Sequence, residues 1–362
     1  MRVRVSAMYD GDPSSRIRAH FHNQADACDQ LGSPFTARLC RALASVLDGR
    51  TAVGRKLLGW PGDARADALA LRLCGGLHAL VLSDTDAGLA KIYPPETADD
   101  QAIASAVPDA LIRNEAHLLA MLESAPQTNE IARSAMLLPG FLAISRDSGL
   151  PLELAEIGAS AGLNLLFDSF GYRYGENGWG STVSPVQLAP DIRGQAPPLS
   201  GYLQVAARAG CDIAPIRISD QAQRLRLRSY VWADQALRLE RLDAAIGLAE
   251  QALPMLVRQG AEEFVEDCLA GRKPDAAFVL FHSIMWQYMP ETTRAEILQL
   301  LQVAGAAATR QSPLYWLRME PLVAGDPFAT LSLTSWPGGS TRALARCDYH
   351  GRWIEWLGQA EA

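Results

Sequence analysis

Several features that would assign this chain to a familiar class are missing from it. The six cysteines form no C-x-x-C pair and their spacings match no metal or redox signature, so we expect reduced thiols. No uncharged apolar run approaches the roughly 20 residues that cross a bilayer. The residues after Met1 also lack the apolar stretch of a secretory signal. These absences predict a soluble protein that stays in the cytoplasm and has no membrane partner.

An excess of positive charge is missing as well. The formal net charge is −7, whereas a protein that binds the phosphate backbone of nucleic acids needs a basic face. The chain does have an ordinary hydrophobic fraction of 49%, enough to bury a core, and a length of 362 residues, which favours about two domains. We therefore expect a globular protein whose partner is a small-molecule substrate rather than nucleic acid, with its oligomeric state left open.

The first 148 residues have the pattern of helices. Apolar side chains recur three and four positions apart between residues 17 and 53, and Ser33-Pro34 interrupts this run. Tyr93-Pro-Pro95 ends any regular element, because neither proline can donate a backbone hydrogen bond. Further helices are predicted at 102–122 and 131–145, and the last part of 69–82 could be a helix. Residues 1–148 are therefore predicted to form a mostly helical N-terminal region.

The pattern changes after Gly149. Short apolar runs alternate with helical stretches, and this alternation favours βαβ units and a mainly parallel sheet. The predicted strands are Leu152–Ile157, Ile213–Ile218, Ala276–Phe281 and Leu314–Met319. Near the end of the chain, glycines in a turn predict an antiparallel hairpin between two further strands, Ala329–Trp336 and Ala343–Trp353. Residues 149–362 are thus predicted to form an α/β domain.

The most informative segment follows the first predicted strand and reads Glu156-Ile-Gly158-Ala-Ser160-Ala-Gly162. A strand that enters a turn of small residues and then a helix directs backbone N–H groups at a ligand in the crevice. We expect Gly158 to let a ligand approach the backbone closely, and Gly162 to let helix and strand pack together. Glu156 adds a carboxylate beside these donors, which suits a ligand with a ribose, an amino group or a cationic centre.

This turn resembles the first motif of S-adenosylmethionine-dependent methyltransferases, acid-x-Gly-x-Gly-x-Gly, with Ser160 in place of the middle glycine. The resemblance implies a Rossmann-like, methyltransferase-type domain that binds S-adenosylmethionine, with Glu156, Gly158, Ser160 and Gly162 at the cofactor. The closing hairpin looks like the antiparallel sixth and seventh strands of that fold.

The same resemblance implies two further cofactor contacts. Glu176 follows a possible second strand at Tyr172–Tyr174 and is near the position of that family's ribose-binding acid. Asp220 follows the predicted strand Ile213–Ile218, where the family often has an acid that contacts adenine.

Two residues are predicted on the substrate side of this site. His282 ends the apolar run Ala276–Phe281, where an imidazole could remove a proton from a nucleophilic substrate or merely cap the next helix. Arg133 lies one turn into a predicted helix, where it could clamp a carboxylate or form a structural salt bridge. In this interpretation the helical region acts as a lid that fixes the substrate and excludes water.

A broader resemblance covers nearly the whole chain and is carried by short motifs spread along it. Among them are Trp60-Pro-Gly-Asp63, Gly75-Gly-Leu-His78, Tyr93-Pro-Pro95, Phe281-His-Ser283 and Trp336-Pro-Gly-Gly339. Together they look like the bacterial family catalogued as domain of unknown function 2332. That family has no established activity to carry over, so this resemblance supports the fold without supplying a substrate.

A second interpretation uses the same glycine turn. Its G-x-S-x-G pattern is also that of the nucleophile elbow of α/β-hydrolases, with Ser160 as nucleophile. His282 or His350 would then be the base, and Asp275 or Asp348 the acid. That elbow normally follows several strands, whereas the region before it here is predicted to be helical.

The leading hypothesis is therefore methyl transfer from S-adenosylmethionine to a small molecule. The alternatives are a serine hydrolase and a non-catalytic ligand-binding protein of the same fold, because a fold does not dictate a function.

Overall fold

The structure, a computed structural model, describes residues 12–358. Within this range the chain forms two compact units, one of residues 12–128 and 221–239, the other of residues 129–220 and 240–358. The boundary thus lies near residue 128 instead of the predicted 148, and a short later segment belongs with the first unit. The helix that precedes the first strand belongs to the second unit because it covers the sheet.

The regular structure of the first unit is helical throughout its described residues, as predicted. Leu69–Leu82 is helical over its whole length, whereas only its last part was predicted to be a helix, and the break at Ser33-Pro34 separates two helices, with proline in the first turn of the second. The helices are α1 (Pro13–Gln30), α2 (Pro34–Val46), α3 (Ala52–Leu58), α4 (Leu69–Leu82), α5 (Ala87–Ala90), α6 (Asp100–Arg113) and α7 (Glu115–Leu122), joined by a later helix, Gln221–Ser229.

His78 and Gly75 have structural roles inside this unit. The Nδ1 atom of His78 hydrogen-bonds to the carbonyl oxygen of Ser229 at 3.1 Å, and burial lowers the pKa of the imidazole. A methyl group at position 75 would lie 2.5 Å from Cε1 of Tyr230, so glycine there allows the Tyr230 ring to pack against α4.

The second unit is built on a mixed sheet that has nine strands in the described part of the chain. Its described strands and those of a small separate sheet are β1 (Leu152–Ile157), β2 (Gly171–Tyr174), β3 (Asn177–Gly180), β4 (Gln187–Leu188), β5 (Asp191–Arg193), β6 (Val205–Asp212), β7 (Met255–Arg258), β8 (Ala277–Ser283), β9 (Leu314–Glu320), β10 (Ala329–Trp336), β11 (Ser340–Cys347) and β12 (Trp353–Trp356). The large sheet has the order β5-β12-β11-β10-β9-β8-β1-β6-β7.

The centre of this sheet is parallel, as predicted. β7, β6, β1, β8 and β9 pair in parallel, and β9, β10, β11 and β12 then pair antiparallel. From β1 the chain adds β6 and β7 on one side, then returns to add β8 and β9 on the other. The order therefore reverses between β1 and β8, and in open α/β sheets ligands bind outside the carboxyl ends of the strands at such a point.

Helices cover both faces of the sheet. On one face α8 (Ser134–Ser148) packs against β8 and β9: Phe141 lies 5.1 Å from Phe281 between ring centroids, and Gly140 leaves room for Leu317. On the other face a hydrophobic cluster joins β8 and β9 to two further helices, Ala261–Ala270 and Glu291–Ala306. A fourth helix, Ala236–Gln251, includes the division at Leu239, so its first residues belong to the first unit and the rest to the second.

Two local predictions were wrong, and a third was right in position but not in the type of helix. Ile213–Ile218 is a loop, and the strand lies just before it at Val205–Asp212, whose alanines and glycine are weak strand formers. Tyr172–Tyr174 is a strand, but it pairs with β3 and β4 in the small sheet. The helix predicted after Gly162 is a 3₁₀ helix, Leu163–Ser169.

The other predicted strands lie close to strands of the structure. Ala276–Phe281 and Leu314–Met319 correspond to β8 and β9, and Ala329–Trp336 is β10. The predicted hairpin partner is divided into β11 and β12, with Asp348 to Arg352 in a turn between them.

Candidate functional site

The carboxyl ends of four neighbouring strands place polar side chains at one edge of the sheet. β1 contributes Glu156, β6 contributes Asp212, β8 contributes His282 and β9 contributes Glu320. Of these, Asp212 and Glu320 were not among the predicted site residues.

The register shows which of these side chains share a face. Glu156 pairs with Gly210 on β6 and with Phe281 on β8. Paired residues on parallel strands face the same side, and successive residues alternate. Asp212, two residues after Gly210, therefore lies on the face of Glu156, whereas His282, one residue after Phe281, lies on the opposite face. The structure divides the predicted site into two.

Glu156 is a buried acid that forms no salt bridge among the described residues. It is 3% exposed, and its Oε2 atom accepts no hydrogen bond from the described part of the chain. Burial raises the pKa of this carboxyl well above its ordinary value, nearby Asp212 raises it further, and the positive charge of Arg133 opposes the shift. Burial therefore favours the neutral form of this carboxyl group, and an approaching positive or hydrogen-bonding group would favour the ionised form.

The glycine turn after β1 is left-handed at alternate positions. The φ angles are +66° at Gly158, +54° at Ser160 and +69° at Gly162. Serine rarely adopts this conformation, and backbone strain of this kind is often found at functional sites. The Oγ atom of Ser160, a residue that is 6% exposed, is buried and hydrogen-bonds to no group in the described residues.

Four amides of this turn bond to the protein itself, whereas the amides were expected to face a ligand. Ser160 N donates to Asp212 Oδ2 at 3.0 Å, and Leu163 N donates to Asn129 Oδ1 at 3.0 Å. Ala159 N and Gly162 N donate to backbone carbonyls. The turn is thus fixed to the end of β6.

The two glycines of the turn are explained by packing and backbone conformation. A methyl group at position 158 would lie 2.9 Å from Met285 Cε and Cγ, and one at position 162 would lie 2.8 Å from Leu256 Cδ2. Gly158 was expected to make room for a ligand, but the side chain of Met285 lies there. Gly162 does serve close packing, as expected.

Both ring nitrogens of His282 form hydrogen bonds with other side chains. Its Nδ1 lies 2.7 Å from Glu320 Oε1, and its Nε2 accepts a hydrogen bond from the indole Nε1 of Trp316 at 3.1 Å. An indole N–H can only donate, so the ring carries its proton on Nδ1 and donates to Glu320. With both nitrogens engaged and the residue 0% exposed, His282 does not serve as the predicted proton acceptor.

Arg133 joins the end of a 3₁₀ helix to two neighbouring segments. Its Nε donates to the carbonyl oxygen of Tyr349 at 2.9 Å, and its NH1 donates to that of Ser283 at 3.3 Å. Two backbone carbonyl groups therefore hold the guanidinium of Arg133 in place. Its positive charge interacts with the carboxyl group of Glu156.

Two predicted cofactor contacts lie elsewhere. Glu176 is exposed in the turn between β2 and β3 of the small sheet. Asp220 lies in a loop before a helix and not at a strand end, because the strand ends at Asp212. The acid that ends the strand next to β1 is Asp212, which was not predicted.

The remaining hydrolase residues do not form a triad. Asp275 precedes β8 and so lies at the opposite edge of the sheet from Ser160. The oxygens of Asp348 accept hydrogen bonds from Arg352 and from the amide of His350.

The fold and this edge define an α/β protein with buried carboxyl groups at the point where the strand order reverses. The chain belongs to the family described as "Uncharacterized protein conserved in bacteria (DUF2332)", whose profile matches residues 18–356. No curated protein and no solved structure matches it. A search of the described residues found no helix with the length and apolar character needed to cross a membrane.

Proposed function

We propose that the second unit binds S-adenosylmethionine at the carboxyl ends of β1 and β6 and transfers its methyl group to a small molecule. The observation that carries this proposal is a pair of buried oxygen atoms without hydrogen bonds, Glu156 Oε2 and Ser160 Oγ, where the strand order reverses. A buried polar atom left unpaired costs about 1–3 kcal/mol, so a ligand that supplies donors is favoured.

The residues present fit the polar parts of this cofactor. Glu156 and Asp212 are carboxyl groups on one face, suited to the hydroxyls of a ribose or to an amino group. Ser160 Oγ can donate or accept. Arg133 supplies the positive charge that this acidic pair needs beside it. The cofactor would bring an electrophilic methyl group, so that the protein has mainly to position two reactants and exclude water.

A titration of the whole protein tests the proposal. Isothermal calorimetry with S-adenosylmethionine and with its demethylated product should give heat for the wild type. Glu156→Gln should weaken binding about tenfold or more, because a carboxylate that receives a charged or hydroxyl donor is lost.

Glu153→Gln is the matched control. Glu153 lies on the same strand but on the opposite face, where its carboxylate accepts a hydrogen bond from the amide of Lys273 at 3.1 Å. This variant should bind as the wild type does. Absence of heat with both compounds, or equal binding by Glu156→Gln, would refute the proposal.

A serine hydrolase is not proposed. Ser160 Oγ hydrogen-bonds to no imidazole in the described chain, and His282 has no free nitrogen. Labelling of Ser160 by a fluorophosphonate would contradict this conclusion.

A further inference from the structure

A second buried carboxylate lies on the other face of the same sheet edge. Glu320 ends β9 and is 7% exposed. Its Oε1 atom accepts three hydrogen bonds, from His282 Nδ1 at 2.7 Å, from Met285 N at 3.0 Å and from Trp286 N at 3.3 Å. Its Oε2 atom is buried and receives none from the described residues.

This asymmetry is fixed by the surrounding residues. His282 cannot turn toward Oε2, because its Nε2 already accepts from Trp316. The two amides belong to the loop after β8 and point at Oε1. Oε1 therefore accepts all three hydrogen bonds. Oε2 is held in a fixed orientation and can accept a hydrogen bond from a ligand.

Aromatic rings stand beside this carboxylate. Trp286 stacks on His282 with ring centroids 5.1 Å apart and an interplanar angle of 13°, and it lies 5.3 Å from Trp316. Trp286 is only half-buried. Indole faces and a carboxylate together attract a positively charged group.

Arg318, a positive side chain two residues before Glu320 on the same strand, is directed elsewhere. The guanidinium of Arg318 lies 3.9 Å from the centroid of the Trp316 ring and donates from NH1 to Thr334 Oγ1 at 2.9 Å. Burial lowers the pKa of Arg318 to about 10, with Glu320 opposing that shift. No ion pair joins Arg318 to Glu320 among the residues that the structure describes.

A metal ion fits less well than an ammonium group. The described residues contain no cluster of three or more His, Cys, Asp or Glu side chains arranged for a metal. An ammonium group carries several N–H donors and needs only one such oxygen together with the aromatic faces.

We propose that Glu320 Oε2 is the binding site for the ammonium group of a small amine, with Trp286 beside it and His282 as the residue that positions the carboxylate. This inference is independent of the cofactor proposed for the Glu156 face, since the two carboxyl groups lie on opposite faces of the sheet.

The test uses the full-length protein and propylammonium chloride as the probe. Binding is followed by tryptophan fluorescence and by the indole N–H signals of Trp286 and Trp316. Glu320→Gln keeps an acceptor for the three donors, so we expect a folded protein with affinity reduced about tenfold or more. Trp286→Leu should weaken binding about threefold. Tetramethylammonium, which has no N–H donor, should bind more weakly than propylammonium.

Glu355→Gln is the control, because this residue pairs with Arg346 on the surface, away from β8. It should bind the probe as the wild type does, and so should Glu156→Gln. An unchanged Trp316 indole signal would show that Glu320→Gln is folded. The proposal is overturned if the wild type does not bind propylammonium, if Glu320→Gln binds it equally, or if tetramethylammonium binds as tightly.

Discussion

Two buried glutamates at one sheet edge differ in how the protein surrounds them. Glu320 receives three donors on one oxygen and is locked in one orientation. Glu156 lacks a hydrogen bond at Oε2, and burial raises its pKa. The comparison teaches that strand position alone does not assign a role to an acid. The donors that neighbouring loops bring to it determine whether its carboxyl group is held in one orientation or keeps an oxygen without hydrogen bonds.

The largest effect that would test this difference is expected at His282. Replacing it by alanine removes a buried ring, one donor to Glu320 and the acceptor for Trp316 Nε1. We expect the free energy of unfolding to fall by about 4 kcal/mol, measured by urea denaturation. Trp316→Phe, which removes one donor and keeps an aromatic ring, should cost about 1 kcal/mol. No measurable loss for Trp316→Phe would show that the hydrogen bond from Trp316 to His282 contributes little to stability.

A smaller loss of stability is expected at Gly158. Alanine there must adopt a φ near +66° and make room against Met285. We expect a loss of about 3 kcal/mol, part strain and part overpacking. Gly149→Ala is the matched control, since Gly149 has a φ of +65° and no atom close to its added methyl. It should lose only about 1–2 kcal/mol. Similar losses in both variants would indicate that Met285 yields easily.

The pH dependence of stability tests the surroundings of Glu156. Because the folded-state pKa of Glu156 is raised, the folded protein keeps a proton that the unfolded chain loses. Its contribution to stability is therefore full below the ordinary carboxyl pKa and is lost as the pH rises through the folded pKa. Glu156→Gln should gain stability relative to the wild type as the pH rises above about 4, by about 1 kcal/mol or more in denaturation experiments. A constant difference across this range would show that Glu156 is ionised in the folded protein.

The smallest effect is expected at Asp212. The two carboxylate oxygens of Asp212 accept from the backbone N–H groups of Ser160 and Ala214, and Asn keeps only one acceptor oxygen, so Asp212→Asn should lose one hydrogen bond and about 1 kcal/mol of stability. Removing the negative charge should lower the pKa of Glu156, and the pH dependence of stability should weaken accordingly. A pH dependence identical to that of the wild type would mean that the two acids do not interact.

Part of the candidate site could be predicted from the sequence. The strand, the glycine turn and the position of Glu156 at its start were recognisable, because a short apolar run followed by small residues has few other structural solutions. Asp212 was missed because β6 is rich in alanine and glycine and carries little strand signal. Glu320 was missed because an acid that ends an apolar run also fits an exposed strand end.

The role of His282 could not be predicted either. His282 was correctly placed at the end of β8. The side of the sheet on which it lies depends on the register between β1 and β8, and its Nε2 atom is occupied by a hydrogen bond from Trp316, which is distant in sequence. Periodicity reports that neighbouring side chains alternate, and it does not report which partner strand or helix each one meets.

The sequence by itself determined the helical first region, the alternation of strands and helices in the second, and the glycine turn with its acid, because local propensity and hydrophobic period are encoded over a few residues. Only the tertiary structure decided that Glu156 and His282 face opposite sides, that the turn's amides are already bonded, and that Asp212 and Glu320 join the edge. These facts depend on strand order and register, which arise from contacts between residues far apart in the chain.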